Sequence, residues 1–165
     1  MHIDFHKHPR LGALLLKWWT GLDEDRASRA TLRRAASVTE IALTPAYQRL
    51  YRRLCEAGWP DETWRNDKLA AAVGLLAHVT ALEDQPMPAA MSQREGDKPR
   101  VSALRFMRLL DSPDVDALFI GLRRALPLVQ HRANVLTLAN DVVNWGDPVK
   151  KRWAYAYDWP DKTAG

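Results

Sequence analysis

The sequence predicts an all-α protein, folded as a single-domain bundle of about seven to nine helices. Apolar residues recur at steps of three and four along most of the chain, which is the spacing of one helix face. No stretch of useful length alternates apolar and polar residues as a half-buried strand does. The 165 residues are 47% hydrophobic and include seven tryptophans, so the chain has enough apolar material for one packed core.

We expect residues 1–10 to form a flexible N-terminus and residues 11–160 to form the helical domain. Three histidines lie in the N-terminal segment, and imidazole is a common metal ligand: His2, His6 and His8. No acidic or cysteine side chain has the spacing that would complete a closed site with them. The sequence therefore predicts neither a metal ion nor any other cofactor.

The sequence also predicts a cytoplasmic protein that does not contact a membrane. No segment reaches the ~20 apolar residues needed to span a bilayer, and the first residues lack the apolar run of a secretory signal. Cys55 is the single cysteine, which excludes an internal disulfide and is typical of a reducing compartment.

The first two predicted helices span residues 11–22 and 23–36. The first has leucines and two tryptophans on one face. The second has acidic residues in its first turn and an arginine pair in its last, which suits the helix dipole by itself. It is poor in large apolar groups, however, so we expect its basic side chains to bind a partner outside the fold. These side chains are Arg26, Arg29, Arg33 and Arg34.

Two further helices follow. Thr44 is expected to cap the third, and Gly58 ends it in a left-handed conformation. The fourth runs from about Trp64 to Leu82 and has no charged residue over its last 14 positions, so we expect it to be the buried centre of the domain. His78 lies within that run and is interpreted as a hydrogen-bonded core histidine rather than a catalytic one.

Residues 83–98 are predicted to form a flexible loop, because they contain two prolines, a glycine and no periodicity. The following stretch, 99–126, predicts two helices broken at Ser112 and Pro113, with the serine capping the second helix and the proline in its first turn. The apolar side of the first is assigned to Ala103, Leu104, Phe106, Met107 and Leu110. The arginines that point away from the apolar sides are Arg105, Arg108, Arg123 and Arg124.

Two amphipathic helices complete the predicted domain. The helix over residues 131–145 has an apolar face and an outward polar face. The polar face consists of Asn134, Thr137, Asn140, Asp141 and Asn144. Asp147 and Pro148 are expected to cap and start the last helix. Its basic residues are Lys150, Lys151 and Arg152.

The distribution of charge favours a phosphate-binding protein. The net charge is only +4, but residues 98–152 contain ten Lys or Arg against five Asp, and arginine outnumbers lysine 17 to 7 over the chain. The planar guanidinium suits phosphate oxygens. A GC-rich genome would explain the ratio of arginine to lysine, but it would not explain the clustering. Arginine-rich outer faces on a helical body are typical of proteins that bind a nucleic-acid backbone.

The sequence does not indicate catalysis. It contains no phosphate-binding loop, dinucleotide fingerprint, zinc-spaced cysteines or nucleophile elbow. The acidic residues lie mostly at predicted helix starts, where capping explains them, and no histidine is near Cys55 in sequence to activate it. We therefore predict that the protein is not an enzyme.

Several segments, taken together, resemble the small subunit of Cascade, the type I-E CRISPR surveillance complex, known as the CasB family. They follow the family's order and spacing over nearly the whole chain. The matching features are Trp18-Trp19, the arginine-rich run from Asp23 to Arg34, Pro45-x-Tyr47, Gly58-Trp59, the apolar helix with Gly74 and His78, Arg100 to Leu110, Leu122-Arg123-Arg124, and Trp145-Gly146 to Trp153.

The resemblance implies a non-enzymatic helical subunit, two copies of which lie together in the complex beside the guide RNA and its DNA target. It implies contacts with the backbones of guide RNA and target DNA, stabilisation of the R-loop and of the displaced non-target strand in antiviral defence, and contacts with other Cascade subunits and a second copy. The family's two arginine pairs match Arg33-Arg34 and Arg123-Arg124. A basic residue after Gly-Trp matches Arg65, and the basic turn after Trp-Gly matches residues 150–152 loosely, because Asp147-Pro148 intervenes.

The predicted nucleic-acid-binding set combines these matches with the basic helix faces. Its members are Arg26, Arg29, Arg33, Arg34, Arg65, Lys98, Arg100, Arg105, Arg108, Arg123, Arg124, Lys150, Lys151 and Arg152. The sequence does not distinguish the residues that face RNA from those that face DNA.

Two alternatives belong to other classes of protein. A stand-alone helical DNA-binding regulator would insert a recognition helix into the major groove after a tight turn. The break at Ser112-Pro113 resembles such a turn, but the helix after it begins with Asp114 and Asp116, which would repel phosphates. A metal-dependent hydrolase would use the N-terminal histidines.

Overall fold

The computed structural model describes residues 2–161, and within them the chain forms ten α-helices, one 3₁₀ helix and four two-residue strands. The helices are α1 (Pro9–Gly21), α2 (Arg26–Arg34), α3 (Val38–Ala42), α4 (Pro45–Glu56), α5 (Thr63–Leu76), α6 (Met87–Ser92), α7 (Ala103–Leu110), α8 (Val115–Ala125), the 3₁₀ helix (Leu126–Val129), α9 (Val135–Val143) and α10 (Asp147–Ala156). The predicted all-α, single-domain class is confirmed. The count is slightly higher than predicted because α3 and α6 have five and six residues, too few to show a helical period.

The centre of the core is α5, as its uncharged sequence predicted. Residues 69–76 of α5 are all buried, and α9, α3, α8 and α2 pack around them. Gly74 permits the close approach of α3, because a Cβ at that position would overlap the Cδ1 atom of Ile41. The helix stops at Leu76, six residues before its predicted end.

The chain after α5 is extended rather than helical. Strand β1 (Ala81–Leu82) pairs in parallel with β4 (Arg132–Ala133), with Ala81 opposite Arg132. This pairing brings the end of α5 next to the segment that follows the 3₁₀ helix. Within residues 2–161, no helix is long and apolar enough to cross a membrane.

The first residues differ from the expected flexible N-terminus. Ile3 and Phe5 are buried, and the Phe5 ring stacks on Trp59 with ring centroids 6.0 Å apart. The Phe5 backbone N–H donates to Oδ1 of Asn140 at 2.7 Å. The Asn144 side chain accepts from the Ile3 N–H and donates to the Ile3 carbonyl. These asparagines were predicted to face solvent. They instead pair with an extended segment of backbone, which satisfies the polar groups of both.

Residues 83–98 also differ from the expected flexible loop. They contain α6 and most of a hairpin, in which β2 (Arg94–Glu95) pairs antiparallel with β3 (Lys98–Pro99) across Gly96, whose φ is 65°. The prolines are at the start of α6, where they start a helix instead of breaking it. Met87 and Met91 are buried, and α6 packs against α10 and the 3₁₀ helix.

Two details of capping were assigned to the wrong residue. Asp114, not Ser112, caps α8: its side chain accepts from the Ala117 N–H at 2.8 Å. Ser112 instead donates to the Leu109 carbonyl at the end of α7. Gly146 is the residue that precedes α10, so Asp147 lies in the first turn. The predicted cap Thr44 is confirmed, since it accepts from the Tyr47 N–H at 3.1 Å.

The exposed and buried faces of two helices are also corrected. In α7, Phe106 and Leu109 are buried, whereas Leu104 and Met107 are exposed. In α9, Asp141 is only 4% exposed although it was predicted to face out. It is buried because Arg152 and the Trp153 indole N–H, both on α10, bind its carboxylate.

Candidate nucleic-acid interface

A groove of about 760 Å³ lies between α7 and α8, and we refer to it as the α7–α8 groove. Arg105 and Arg108 of α7 and Arg124 of α8 line it, and all three are exposed. Most of the other residues that line the groove are apolar or small, among them Ile120 and Gly121. A Cβ at Gly121 would lie 2.7 Å from Cδ1 of Leu109, so the glycine lets the two helices approach closely.

The groove has a single sign of charge. No acidic side chain is among its lining residues, and none of its three arginines forms an ion pair within residues 2–161. Two of them come from α7 and one from α8, so the packing of the helices brings together residues that are up to 19 positions apart in sequence. Three free guanidinium groups along an apolar floor can bind a run of phosphates.

The two predicted arginine pairs meet where α2, α5 and α8 end. Arg33 Nε donates to the Ala77 carbonyl at 2.8 Å, and Arg123 Nη2 donates to the Arg33 carbonyl at 2.9 Å. Both side chains are half-buried, and burial lowers the pKa of Arg33 below its ordinary value. We call this contact point the helix-end junction. The other members of the two pairs, Arg34 and Arg124, are exposed.

The remaining arginines of α2 are divided between solvent and an acidic partner. Arg26 is exposed. Arg29 is half-buried and forms an ion pair with Asp23, with 3.1 Å between Nη1 and Oδ1. The predicted stripe of α2 is therefore less free to bind phosphate than the α7–α8 groove.

The position of Arg65 does not suit its predicted role in nucleic-acid binding. Its side chain is 3% exposed, and its guanidinium carbon lies 4.5 Å from the centre of the Trp64 ring. The nearest carboxylate is Glu62, at 3.9 Å. An arginine buried at the start of α5 has no surface on which to meet a nucleic-acid backbone, so we do not include it in the proposed interface.

The other predicted residues lie on the hairpin and on α10. Lys98 and Lys151 are exposed, and Lys150 is half-buried. Arg100 forms an ion pair with Glu95 at 3.0 Å. Arg152 binds Asp141 at 2.6 Å, and this hydrogen bond raises the pKa of the guanidinium. These two arginines already have partners within the fold.

Sequence reasoning did not identify Lys68 as a candidate residue. Lys68 and Lys150 line a second cavity of about 240 Å³, which shares Ser112 and Pro113 with the α7–α8 groove. Burial lowers the pKa of Lys68, and the charge of Arg65 adds to the effect. The sequence did contain a signal for Lys68. It lies three residues after Arg65, about one helical turn, and directly before the uncharged half of α5.

The N-terminal histidines do not form a metal site in the described part of the chain. Among residues 2–161, no group of three His, Cys, Asp or Glu side chains is placed to hold a metal ion. His6 instead lies with its Nε2 atom 3.1 Å from the Thr137 hydroxyl.

The chain is similar to a known protein family and to a solved structure. Residues 28–157 match the family described as CRISPR-associated protein Cse2. The chain is also similar to a chain in the crystal structure of E. coli Cascade bound to a PAM-containing dsDNA target, with a TM-score of 0.62 and 21% identity over 88% of this chain and 91% of that chain. At this identity the structural match shows a shared fold. No curated protein matches the sequence.

Proposed function

This chain belongs to the CRISPR-associated Cse2 family, and from that premise we propose that it is a non-catalytic, nucleic-acid-binding structural subunit of a CRISPR RNA-guided surveillance complex of the Cascade type. Its partners would be the guide RNA, the target and displaced DNA strands, the other Cascade subunits and a second copy of itself. Contacts with these strands would stabilise the R-loop.

The α7–α8 groove is the observation that carries the proposal. Its three arginines are exposed, have no acidic partner in the described chain and line one concave surface. A phosphate backbone supplies the repeated negative charge that such a surface would neutralise, and release of counterions would drive the association. The exposed cations Arg26, Arg34, Lys98 and Lys151 would add to the positive field around the groove.

The groove favours contact with the backbone over reading of bases. Asn and Gln, the side chains that make paired contacts with adenine, are not among its lining residues. Contacts between arginine and phosphate oxygens position a strand without reading its sequence. A subunit that must act on any target held by a guide RNA needs this kind of binding, because base pairing with the guide supplies the specificity.

A non-catalytic role is consistent with the chemistry of the described residues. Cys55 is half-buried on α4, packs against the core and forms no hydrogen bond with a histidine among residues 2–161. His78 is half-buried, and its pKa is lowered to about 4 by burial and by the nearby charges of Arg123, Arg33 and His131. It is neutral at pH 7 and is placed at the end of a structural helix, away from the α7–α8 groove.

The alternative of a stand-alone regulator is not favoured by the geometry at the start of α8. A recognition helix needs a free N-terminal half that can enter the major groove. Here Asp114 caps the helix, and Asp116 accepts a hydrogen bond from the Val38 N–H at 3.2 Å. The first turn of α8 therefore contacts α3 and has two acidic residues, which would repel phosphates.

Co-expression of the tagged chain with the remaining subunits of a type I-E complex and a guide RNA tests the proposal. We expect the tag to recover the other proteins together with an RNA of uniform length. Purified chain should also bind scrambled DNA or RNA with an affinity that falls steeply with salt. A preference above about a hundredfold for one duplex sequence, with a shallow salt dependence, would establish base reading and contradict the proposal.

A further inference from the structure

The segment that follows α5 is held by side chains from three separate parts of the chain. Each of three consecutive backbone carbonyls, those of Ala77, His78 and Val79, contacts one of these side chains. Arg33 Nε donates to the first at 2.8 Å, His131 Nδ1 lies 2.9 Å from the second, and Trp19 Nε1 donates to the third at 3.0 Å. The backbone of the next residue is bound as well, because the Thr80 N–H donates to the His131 carbonyl at 2.9 Å. We refer to these four contacts on residues 77–80 as the clamp.

The clamp continues to α8 through Arg33. The Arg33 carbonyl is in the last turn of α2, where helix carbonyls lack intrahelical partners, and Arg123 donates to it at 2.9 Å. One arginine therefore caps α5 from α2, and the other caps α2 from α8. Cationic side chains are favourable at helix C-termini, because the helix dipole is negative there.

The backbone conformation at His131 is also specific. His131 has a φ of 56°, and Gln130 before it has a φ of 54°, so two successive non-glycine residues are left-handed. This costly conformation turns the chain so that both the ring and the carbonyl of His131 meet the segment after α5. The surrounding contacts must stabilise it.

We propose that Arg33 and Arg123 cap neighbouring helices and do not contact phosphate, whereas their exposed partners Arg34 and Arg124 do. In each pair, the second arginine is the one that contacts phosphate. This assignment rests on the proposed function for the phosphate contacts, whereas the capping contacts are independent of it. It also reduces the number of arginines predicted to bind nucleic acid. In each pair the inner arginine, Arg33 or Arg123, belongs to the fold, and the outer arginine, Arg34 or Arg124, is left for phosphate.

Methionine at each of the four positions, in the full chain, tests the proposal with matched controls. Methionine keeps an apolar stem but has neither charge nor N–H donors. We expect R33M and R123M to lower the melting temperature by about 2–4 °C, as loss of one hydrogen bond does in a domain of this size. They should speed hydrogen exchange of the Thr80 amide. We expect R34M and R124M to change neither quantity.

Binding to a labelled single-stranded DNA of mixed sequence, measured over a salt series, gives the second readout. R34M and R124M should each reduce the salt slope by about 0.7, and R33M and R123M should leave the slope unchanged. Glutamine at positions 33 and 123 should recover most of the melting temperature, because its amide donates to a carbonyl without carrying a charge. These Gln variants also serve if the Met variants do not fold.

Two results would overturn the assignment. The first is a reduced salt slope in R33Q or R123Q with an unchanged melting temperature, which would make the inner arginines phosphate contacts. The second is unchanged exchange at Thr80 in all inner variants, which would remove the capping role. If all four positions leave the salt slope unchanged while the inner ones lower the melting temperature, the capping role holds and the phosphate contacts of the proposed function fail.

Discussion

The α7–α8 groove and the helix-end junction use the same residue type in opposite ways. In the groove, Arg105, Arg108 and Arg124 are exposed and have no acidic partner within the described chain. At the junction, Arg33 and Arg123 are half-buried and donate to backbone carbonyls at 2.8 and 2.9 Å. Arg123 and Arg124 are adjacent in sequence, yet they belong to different regions.

The difference shows that two arginines adjacent in sequence can have separate roles, one within the fold and one at the surface. Successive residues on a helix point about 100° apart, so one member of a doublet can face the protein while the other faces solvent. The inner member meets carbonyls that need a donor, and the outer member remains available for a partner. The number of basic residues in the sequence therefore overstates the number of cations that can bind phosphate.

The largest expected effect is on the groove. Replacement of Arg105, Arg108 and Arg124 by Ala should weaken binding of single-stranded DNA by at least about 100-fold at moderate salt, because three phosphate contacts are lost. The melting temperature should stay within about 2 °C, since none of the three has a bonding partner in the described chain through its guanidinium. Fluorescence anisotropy and calorimetry measure the two quantities.

The matched control removes three arginines from another surface. Arg49, Arg52 and Arg53 are exposed on α4, and their replacement by Ala changes the net charge equally. If the α4 variant loses as much affinity as the groove variant, binding depends on overall charge, and the distinction between the regions is lost.

The second prediction concerns pH and the junction. His78 has a pKa of about 4 in the folded protein, lowered by burial and by Arg123 of α8, Arg33 of α2 and His131, against an ordinary value of 6.5. The unfolded chain therefore takes up this proton at a higher pH than the folded chain. His78 should reduce stability as pH falls from about 6.5 to about 4, by up to about 3 kcal/mol, and should have no effect above that range.

Chemical denaturation of the wild type and H78Q between pH 4 and pH 7.5 checks this prediction. The difference in unfolding free energy between the two proteins should change with pH only below about 6.5, in favour of H78Q. Parallel curves would show that His78 is not shielded from its proton, and that the junction is more open than its contacts indicate. Binding by the groove should be the same for both proteins at pH 7.5.

A smaller effect is expected from Trp19, which donates to the Val79 carbonyl at 3.0 Å. W19F keeps an aromatic ring but leaves the carbonyl without this donor, so it should destabilise the fold by about 1 kcal/mol and leave binding unchanged. W18F is the matched control, because Trp18 is partly buried but has no hydrogen-bond partner for its indole N–H among residues 2–161. Equal losses of stability would attribute the effect to ring volume instead of to the carbonyl.

The smallest effect is expected from R124K in the groove. Lysine keeps the charge but loses the planar fork that binds two phosphate oxygens. Affinity should fall by less than about threefold, and the salt slope should not change, since one cation still replaces one counterion. A loss as large as that of R124M would show that the geometry of the guanidinium matters more than its charge.

The central features of the fold could be predicted from the sequence because they depend on local pattern. The uncharged half of α5 could only be buried, and it lies at the centre of the core. Thr44 caps α4 as expected, because a threonine before a proline at the start of an apolar repeat has few other uses. Family membership, too, depends on the order of segments along the chain.

Other features depended on contacts between distant residues. Asn140 and Asn144 are polar residues on an amphipathic helix, and the pattern alone places them in solvent. They are instead bound to Ile3 and Phe5, more than 130 positions away. The residues of α6 were predicted to form a loop because prolines and small side chains have no helical period, but they pack against α10 and the 3₁₀ helix.

The candidate interface divides in the same way. The sequence by itself determined a basic, all-α, single-domain protein with arginines concentrated on a few helices. Only the tertiary structure decided which arginines remain free: Arg65 is buried, Arg152 is bound to Asp141, and Arg33 faces the end of α5. The reason is that a side chain's charge is a property of its residue, whereas its availability depends on whichever carbonyl or carboxylate the packing of other helices brings within reach.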